Sequence, residues 1–130
     1  MLVERYKLRP RTSLLGAVST SRLAELYALT ELFVLPSRYE GFGMAYAEAI
    51  AHGLPVVGTT GGAIPETVPE TAGVLIPPDD VPALAAALRH LIESPRERAQ
   101  LAEGARVAAK DLPTWAESAK LFSDAMERVV

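Results

Sequence analysis

The chain has no cysteine, so disulfides and thiolate metal sites are excluded and nothing points to an oxidising compartment. It has no apolar run near the ~20 residues that a membrane-spanning helix needs, and Met1–Arg11 lacks the apolar segment of a signal peptide. A cytoplasmic location without a membrane span is therefore expected. Positive charge is not in excess: 13 Lys and Arg stand against 16 Asp and Glu, for a formal charge of −3. Apart from a mild run at Arg5, Lys7, Arg9 and Arg11, the basic residues are dispersed. That pattern excludes a general nucleic-acid binder, which needs clustered cations to neutralise phosphates. No His, Asp and Glu cluster has metal-ligand spacing. Repeats, low-complexity tracts and long linkers are absent too.

What remains is a 130-residue chain, 49% apolar and 22% charged, long enough for one domain with a substantial core. Four short apolar runs alternate with helical patterns: Ser13–Leu15, Leu32–Leu35, Pro55–Val57 and Gly73–Ile76. The second and third show no polar alternation, as expected of strands buried on both faces in a parallel sheet. Between and after them lie helix-like segments. Ser19–Thr30 carries Leu23, Leu26 and Tyr27; Gly43–His52 is alanine-rich and stops at Gly53, a natural helix end. Asp79 or Asp80 can cap a helix with Leu84, Leu88, Leu91 and Ile92 on one face. Ser94-Pro95-Arg96-Glu97 and Thr114-Trp115-Ala116-Glu117 both read as capping boxes, the second leading into Ala119, Phe122, Met126 and Val129. Strand and helix in alternation with short connections predict an α/β fold: a doubly wound, mostly parallel, Rossmann-like sheet of about four strands with a helical C-terminus.

Ligands of such sheets sit beyond the carboxyl ends of the strands, and three turns here lie at such ends: Arg38–Gly43, Gly58–Glu66 and Pro77–Asp80. The first is the most informative. Gly41 and Gly43 let backbone approach a ligand and expose the first amides of the next helix, a ready anion site. Glu40 stands in the turn and Glu48 eight residues on, flanked by Ala45, Ala47, Ala49 and Ala51. Two carboxylates around an anion site suit a diphosphate with sugars at both ends. Taken alone, Glu48 reads first as a solvated helix residue, and only its context argues otherwise.

The segment Pro36-Ser37-Arg38-Tyr39-Glu40-Gly41-Phe42-Gly43, with Glu48 completing a Glu-x7-Glu spacing, resembles the signature of the "group 1" glycosyltransferases. These are the retaining, nucleotide-sugar-dependent enzymes of the glycogen-synthase-like superfamily, built from two Rossmann-like domains in the B-type arrangement. The resemblance continues through Ala51–Val57, Gly61–Glu66 and Ala72–Asp80, and covers roughly Ser13–Leu101. It implies a glycosyltransferase that moves a glycosyl group from a nucleotide-diphosphate sugar to an acceptor with retention. Glu40 would be the catalytic carboxylate, against the donor sugar's hydroxyls. Gly41, Phe42, Gly43 and Met44 would offer contacts to sugar and diphosphate, Glu48 would take the ribose hydroxyls, and Gly61 and Gly62 would border the same cleft. Arg38 and Tyr39 would lie near the base. Phe42 reads equally as a core anchor of the turn, and Glu66 as the cap of a short helix. No cofactor or metal is implied; the nucleotide sugar is the donor substrate.

The resemblance also implies what the 130 residues do not contain. Family members are much longer, and Met1 falls just before the third strand of their C-terminal, nucleotide-sugar-binding domain. The first two strands, with a diphosphate-clamping Arg and Lys, and the N-terminal acceptor domain are therefore expected to be absent, leaving a chain that is inactive alone. In the strand order 3-2-1-4-5-6, Leu32–Leu35 would then have an open edge. Either Ser13–Leu15 moves beside it, or the edge or the C-terminal helix (Thr114–Val130) joins another copy. Expected partners are thus a nucleotide sugar, the N-terminal domain or another chain, and a second copy in a homo-oligomer. The alternative is a non-catalytic nucleotide-sugar-binding or oligomeric interaction module. A dinucleotide oxidoreductase is excluded, because no Gly-x-Gly-x-x-Gly follows a strand.

Overall fold

A computed structural model describes residues 1–129; Val130, the last residue of the expected C-terminal helix, lies outside them. The elements run α1 (Leu2–Arg5), a 3-10 turn (Arg9–Arg11), α2 (Thr20–Leu29), β1 (Phe33–Val34), α3 (Met44–Ala51), β2 (Val56–Thr59), α4 (Ile64–Thr67), β3 (Gly73–Ile76), α5 (Val81–Glu93), α6 (Pro95–Ala109) and α7 (Trp115–Val129). The three strands form one parallel sheet in the order β1-β2-β3. Phe33 pairs with Val56, and Val56–Thr59 runs in register with Gly73–Ile76. All four residues of β2 are buried, so both faces of the central strand are covered, as the unbroken apolar run predicts.

The α/β class holds, but the sheet has three strands among the described residues rather than about four. Ser13–Leu15 forms no strand, and Leu14 and Leu15 stay half exposed. Nor does this segment move beside Leu32–Leu35. A strand must exchange backbone hydrogen bonds with a neighbour to outweigh water, and three residues ending at Gly16, two of them apolar, offer too little ladder to do so.

Local signals account for several helix ends. The Ser19 hydroxyl accepts from the Arg22 amide, and the Asp80 carboxylate from the Ala83 amide. After α3, Gly53 is left-handed at φ 71°. Its amide reaches the Ile50 carbonyl, and the Leu54 amide reaches that of Ala49, which closes the helix in a Schellman motif. At Thr114 the expected box forms reciprocally: the Thr114 amide donates to Glu117 at 2.7 Å, and the Glu117 amide to the Thr114 hydroxyl at 3.2 Å. The box expected at Ser94 does not form. Pro95 does open α6, but Ser94 makes no side-chain cap, and Glu97 pairs instead with His90 of α5. On α5, Leu91 is fully buried and Leu84 and Leu88 partly so, whereas Ile92 falls off the stripe and is exposed.

The core gathers Tyr27, Tyr46, Ala49, Ile50, Leu54, Val56, Ile64, Val68, Ala72 and Ala105. Tyr46 is its largest fully buried side chain, and burying a ring of that size contributes roughly 2–3 kcal/mol. Phe33 meets it edge-on at 5.9 Å. The Tyr46 hydroxyl donates to the Leu35 carbonyl, so the core is tied to the turn that leaves β1. In contrast, Trp115, Leu121, Phe122, Met126 and Val129 of α7 are exposed among the described residues.

Candidate functional site

The site grows from the carboxyl ends of β1 and β2. Beyond Val34 the Leu35 amide still reaches the Val57 carbonyl, and the chain bends at Arg38. Glu40 forms a parallel bridge with Gly62, and its carbonyl accepts from the Ala63 amide at 2.9 Å. The turn after β1 is therefore hydrogen-bonded to the turn after β2. The approach is close enough to dictate residue type. A Cβ on Gly61 would sit 2.2 Å from the Arg38 carbonyl oxygen, and one on Gly62 would sit 2.2 Å from that of Glu40.

The Glu40 side chain is half-buried and accepts from the Ser37 hydroxyl at 2.7 Å. The Ser37 carbonyl in turn accepts from the Thr59 hydroxyl, and the Gly61 amide donates to Thr59 Oγ1 at 3.2 Å. Gly41 has open space where a side chain would be. Gly43, left-handed at φ 87°, is the N-cap of α3 and brings no side-chain cap, so the first amides of that helix face outward uncapped. Thr67 of α4 ties the turn down by donating to the Phe42 carbonyl.

Phe42 and Met44 are 53% and 67% exposed; Phe42 therefore anchors no core. Together with Ala47, Glu48 and Ala51 they line one wall of a groove of about 520 Å³, with Leu112, Pro113 and Trp115 opposite. Glu48 is exposed there and accepts a long hydrogen bond (3.4 Å) from the Tyr27 hydroxyl. Burial, and secondarily the Glu48 carboxylate, raise the Tyr27 phenol above its ordinary value; it stays a protonated donor at neutral pH. The Tyr27 ring itself stacks on His52, with centroids 4.7 Å apart.

The expected residues thus fall into two groups that meet at the N-terminus of α3. Backbone contact joins Glu40, Gly61 and Gly62; the groove joins Phe42, Met44 and Glu48. Arg38 and Tyr39 are exposed. The Arg38 guanidinium is held at 2.8 Å by Asp79, whose own backbone is left-handed at φ 63°. Glu66 sits exposed in the first turn of α4. Sequence reasoning missed Ser37, Thr59, Tyr46 and Thr67. Ser37 alone left a trace, a serine three residues before a glutamate. The hydroxyls of Thr59, Tyr46 and Thr67 reach partners 11 to 25 residues away, and no local pattern signals such contacts. The Arg38–Asp79 pair, 41 residues apart, was equally invisible. Among the described residues, no helix is long and apolar enough to cross a membrane.

Comparison with known proteins places this geometry. The sequence model for "Glycosyl transferases group 1" matches residues 1–108. The chain is 37% identical over 120 residues to the MMP alpha-(1->4)-mannosyltransferase of Mycolicibacterium hassiacum, an alignment that covers 88% of this chain and 29% of that protein. Its fold matches the sucrose-phosphate synthase of Thermosynechococcus elongatus with a TM-score of 0.88 and 32% identity, over 98% of this chain and 32% of the other. It also matches the Anabaena protein HepE in complex with UDP (TM-score 0.86, 25% identity), over 97% of this chain and 35% of the other. The 130 residues span about a third of the length of these relatives. With the glycine-crossed turns, the uncapped helix and the Glu-x7-Glu pair all in place, the chain belongs to the group 1 glycosyltransferases.

Proposed function

We propose that this chain is the donor-binding part of a glycosyltransferase that transfers a sugar from a nucleotide diphosphate with retention of configuration. The observation that carries the reading is the placement of Glu40 and Glu48 on either side of the uncapped N-terminus of α3. That helix end supplies amides for the diphosphate. Glu40, Gly41, Phe42, Gly43 and Met44 meet the sugar side, Glu48 takes the ribose hydroxyls, and Gly61 and Gly62 hold the Glu40 turn in place. A solved relative in complex with UDP supports a nucleotide as part of the ligand. No metal is needed: helix amides and cationic side chains stabilise the leaving diphosphate. Those cations come from the first strands of the same domain and the acceptor site from an N-terminal domain or another chain, so these residues alone hold a donor without transferring its sugar. Arg38, held by Asp79, lies with Tyr39 towards the base.

Calorimetric titration with UDP- and GDP-sugars tests this directly. The wild type binds at least one of them, and Glu48→Ala weakens binding about tenfold by removing a charged hydrogen-bond acceptor. Unchanged binding in that variant removes Glu48 from the ribose. A second reading, an interaction module that acts through assembly, is favoured by one feature, the exposed apolar face of α7. It predicts a sedimentation coefficient that rises with concentration and falls back in Phe122→Ser.

A further inference from the structure

Ser37 and Thr59 have no part in the donor contacts assigned above, yet both are tied to the Glu40 turn: the Ser37 hydroxyl bonds the Glu40 carboxylate, and the Thr59 hydroxyl bonds the Ser37 backbone carbonyl. Ser37 Oγ lies 2.7 Å from Glu40 Oε1. A hydroxyl owns one proton, and an ionised carboxylate only accepts, so Ser37 donates it to Glu40. The backbone carbonyl of Ser37 is held from below by the Thr59 hydroxyl at 2.5 Å. Thr59 spends its proton there and uses its lone pair on the Gly61 amide at 3.2 Å. Among the described residues it is the buried polar side chain of the core, 1% exposed at the last position of β2.

This wiring differs from an ordinary helix start. Ser37-Arg38-Tyr39-Glu40 has the Ser-x-x-Glu spacing of a capping box, but no helix follows, and serine and glutamate bond each other through side chains. At Thr114–Glu117 the same spacing caps a helix through two backbone amides. In the turn after β1, the serine's hydrogen-bonding capacity is directed at a carboxylate instead. A free Glu samples several rotamers, whereas one that accepts a charge-assisted bond at this length is confined to few. Its other oxygen is left for a ligand.

We propose that Ser37 and Thr59 are positioning residues for the donor sugar: Ser37 aims the Glu40 carboxylate, and Thr59 fixes Ser37 and Gly61 so that both turns present one rigid edge. The inference rests on the donor-binding reading above and adds to it the residues that confer hexose discrimination. Their contribution falls on the hexose and not on the nucleotide, because these bonds end at Glu40 and do not touch Glu48.

The test compares affinities of the full chain for UDP against UDP-glucose, and for GDP against GDP-mannose. In the wild type, the hexose raises affinity for at least one nucleotide. Ser37→Ala removes most of that increment, about a tenfold change for one charged hydrogen bond, and leaves affinity for the bare nucleotide unchanged. Ser37→Thr, which keeps the hydroxyl, restores it. Thr59→Val behaves as Ser37→Ala and also speeds hydrogen exchange of the Gly61 amide about tenfold or more; Thr59→Ser retains protection. A Ser37→Ala chain with the hexose increment intact overturns the proposal. So does one that loses nucleotide and nucleotide-sugar affinity equally, which marks a structural role. A wild-type chain with no affinity for any of the four ligands instead overturns the donor-binding reading itself, an outcome visible before any variant is made.

Discussion

Replacing Gly62 by alanine puts a methyl group where a Cβ would lie 2.2 Å from the Glu40 carbonyl oxygen and 3.0 Å from its nitrogen. Two costs follow. Gly62 is left-handed at φ 64°, which burdens an L-residue by about 1–2 kcal/mol. To restore an ordinary contact of at least 3.4 Å, the Glu40 turn must withdraw. That movement strains the 2.9 Å bond from the Ala63 amide to the Glu40 carbonyl, worth about 0.5–1.5 kcal/mol net. Together Gly62→Ala should destabilise by about 1.5–3.5 kcal/mol. Gly41→Ala is the control, because nothing lies within 4 Å of its added Cβ; it should stay within about 0.5 kcal/mol of wild type. Urea unfolding followed by circular dichroism reads both. If Gly62→Ala unfolds within about 0.5 kcal/mol of wild type, the two turns are not held in contact as described, and the tethering of Glu40 fails with them.

Gly104→Ala should show a reversed sign: in a free helix the change gains about 0.5–1 kcal/mol, but here the new Cβ would sit 1.8 Å from the Thr71 carbonyl oxygen. Thermal unfolding should register a loss of about 1–3 kcal/mol from overpacking; a raised melting temperature would refute the contact. Tyr46→Phe keeps the ring but deprives the Leu35 carbonyl of its donor, at a cost of about 1–3 kcal/mol, read by the same unfolding assay. The Thr114 amide, and secondarily its hydroxyl, hold the Glu117 carboxyl below the usual glutamate value of 4.5. Because the folded value is the lower one, this stabilisation is present above that usual value and is lost as pH falls through the folded value. Amide protection across the first turn of α7, taken relative to the intrinsic exchange rate at each pH, should fall over that acid window in the wild type. In Glu117→Gln it should vary less with pH, and identical profiles would remove the carboxylate from the cap.

Much of this was legible from short-range chemistry. Glycine and proline punctuation delimited β2, β3 and α3, because only those residues permit or forbid the backbone angles at their ends. The Thr114 box was readable because both partners lie within one turn of each other. Ser94 shows where such reading fails: its local pattern was right, but Glu97 found His90 on the preceding helix, and a tertiary partner displaced a local one. Ser13–Leu15 failed for a related reason. A strand is not a property of three residues but of a neighbour that pairs with them.

The Pro36–Glu48 turn shows the division most clearly. Its residues alone determined that a glycine-opened helix start with two carboxylates follows a buried strand, since chain spacing and the need of helix amides for acceptors are local matters. They also sufficed to place the chain among the group 1 glycosyltransferases. What only the tertiary structure decided is how that turn is held. Gly61 and Gly62 are glycines because a Cβ at either would lie 2.2 Å from a carbonyl oxygen of the turn after β1, and the Ser37 that bonds Glu40 is itself held by a hydroxyl on another strand. Contacts between strands adjacent in space but more than 20 residues apart in sequence leave no periodic trace. Parallel pairing brings those residues together only after the sheet has formed.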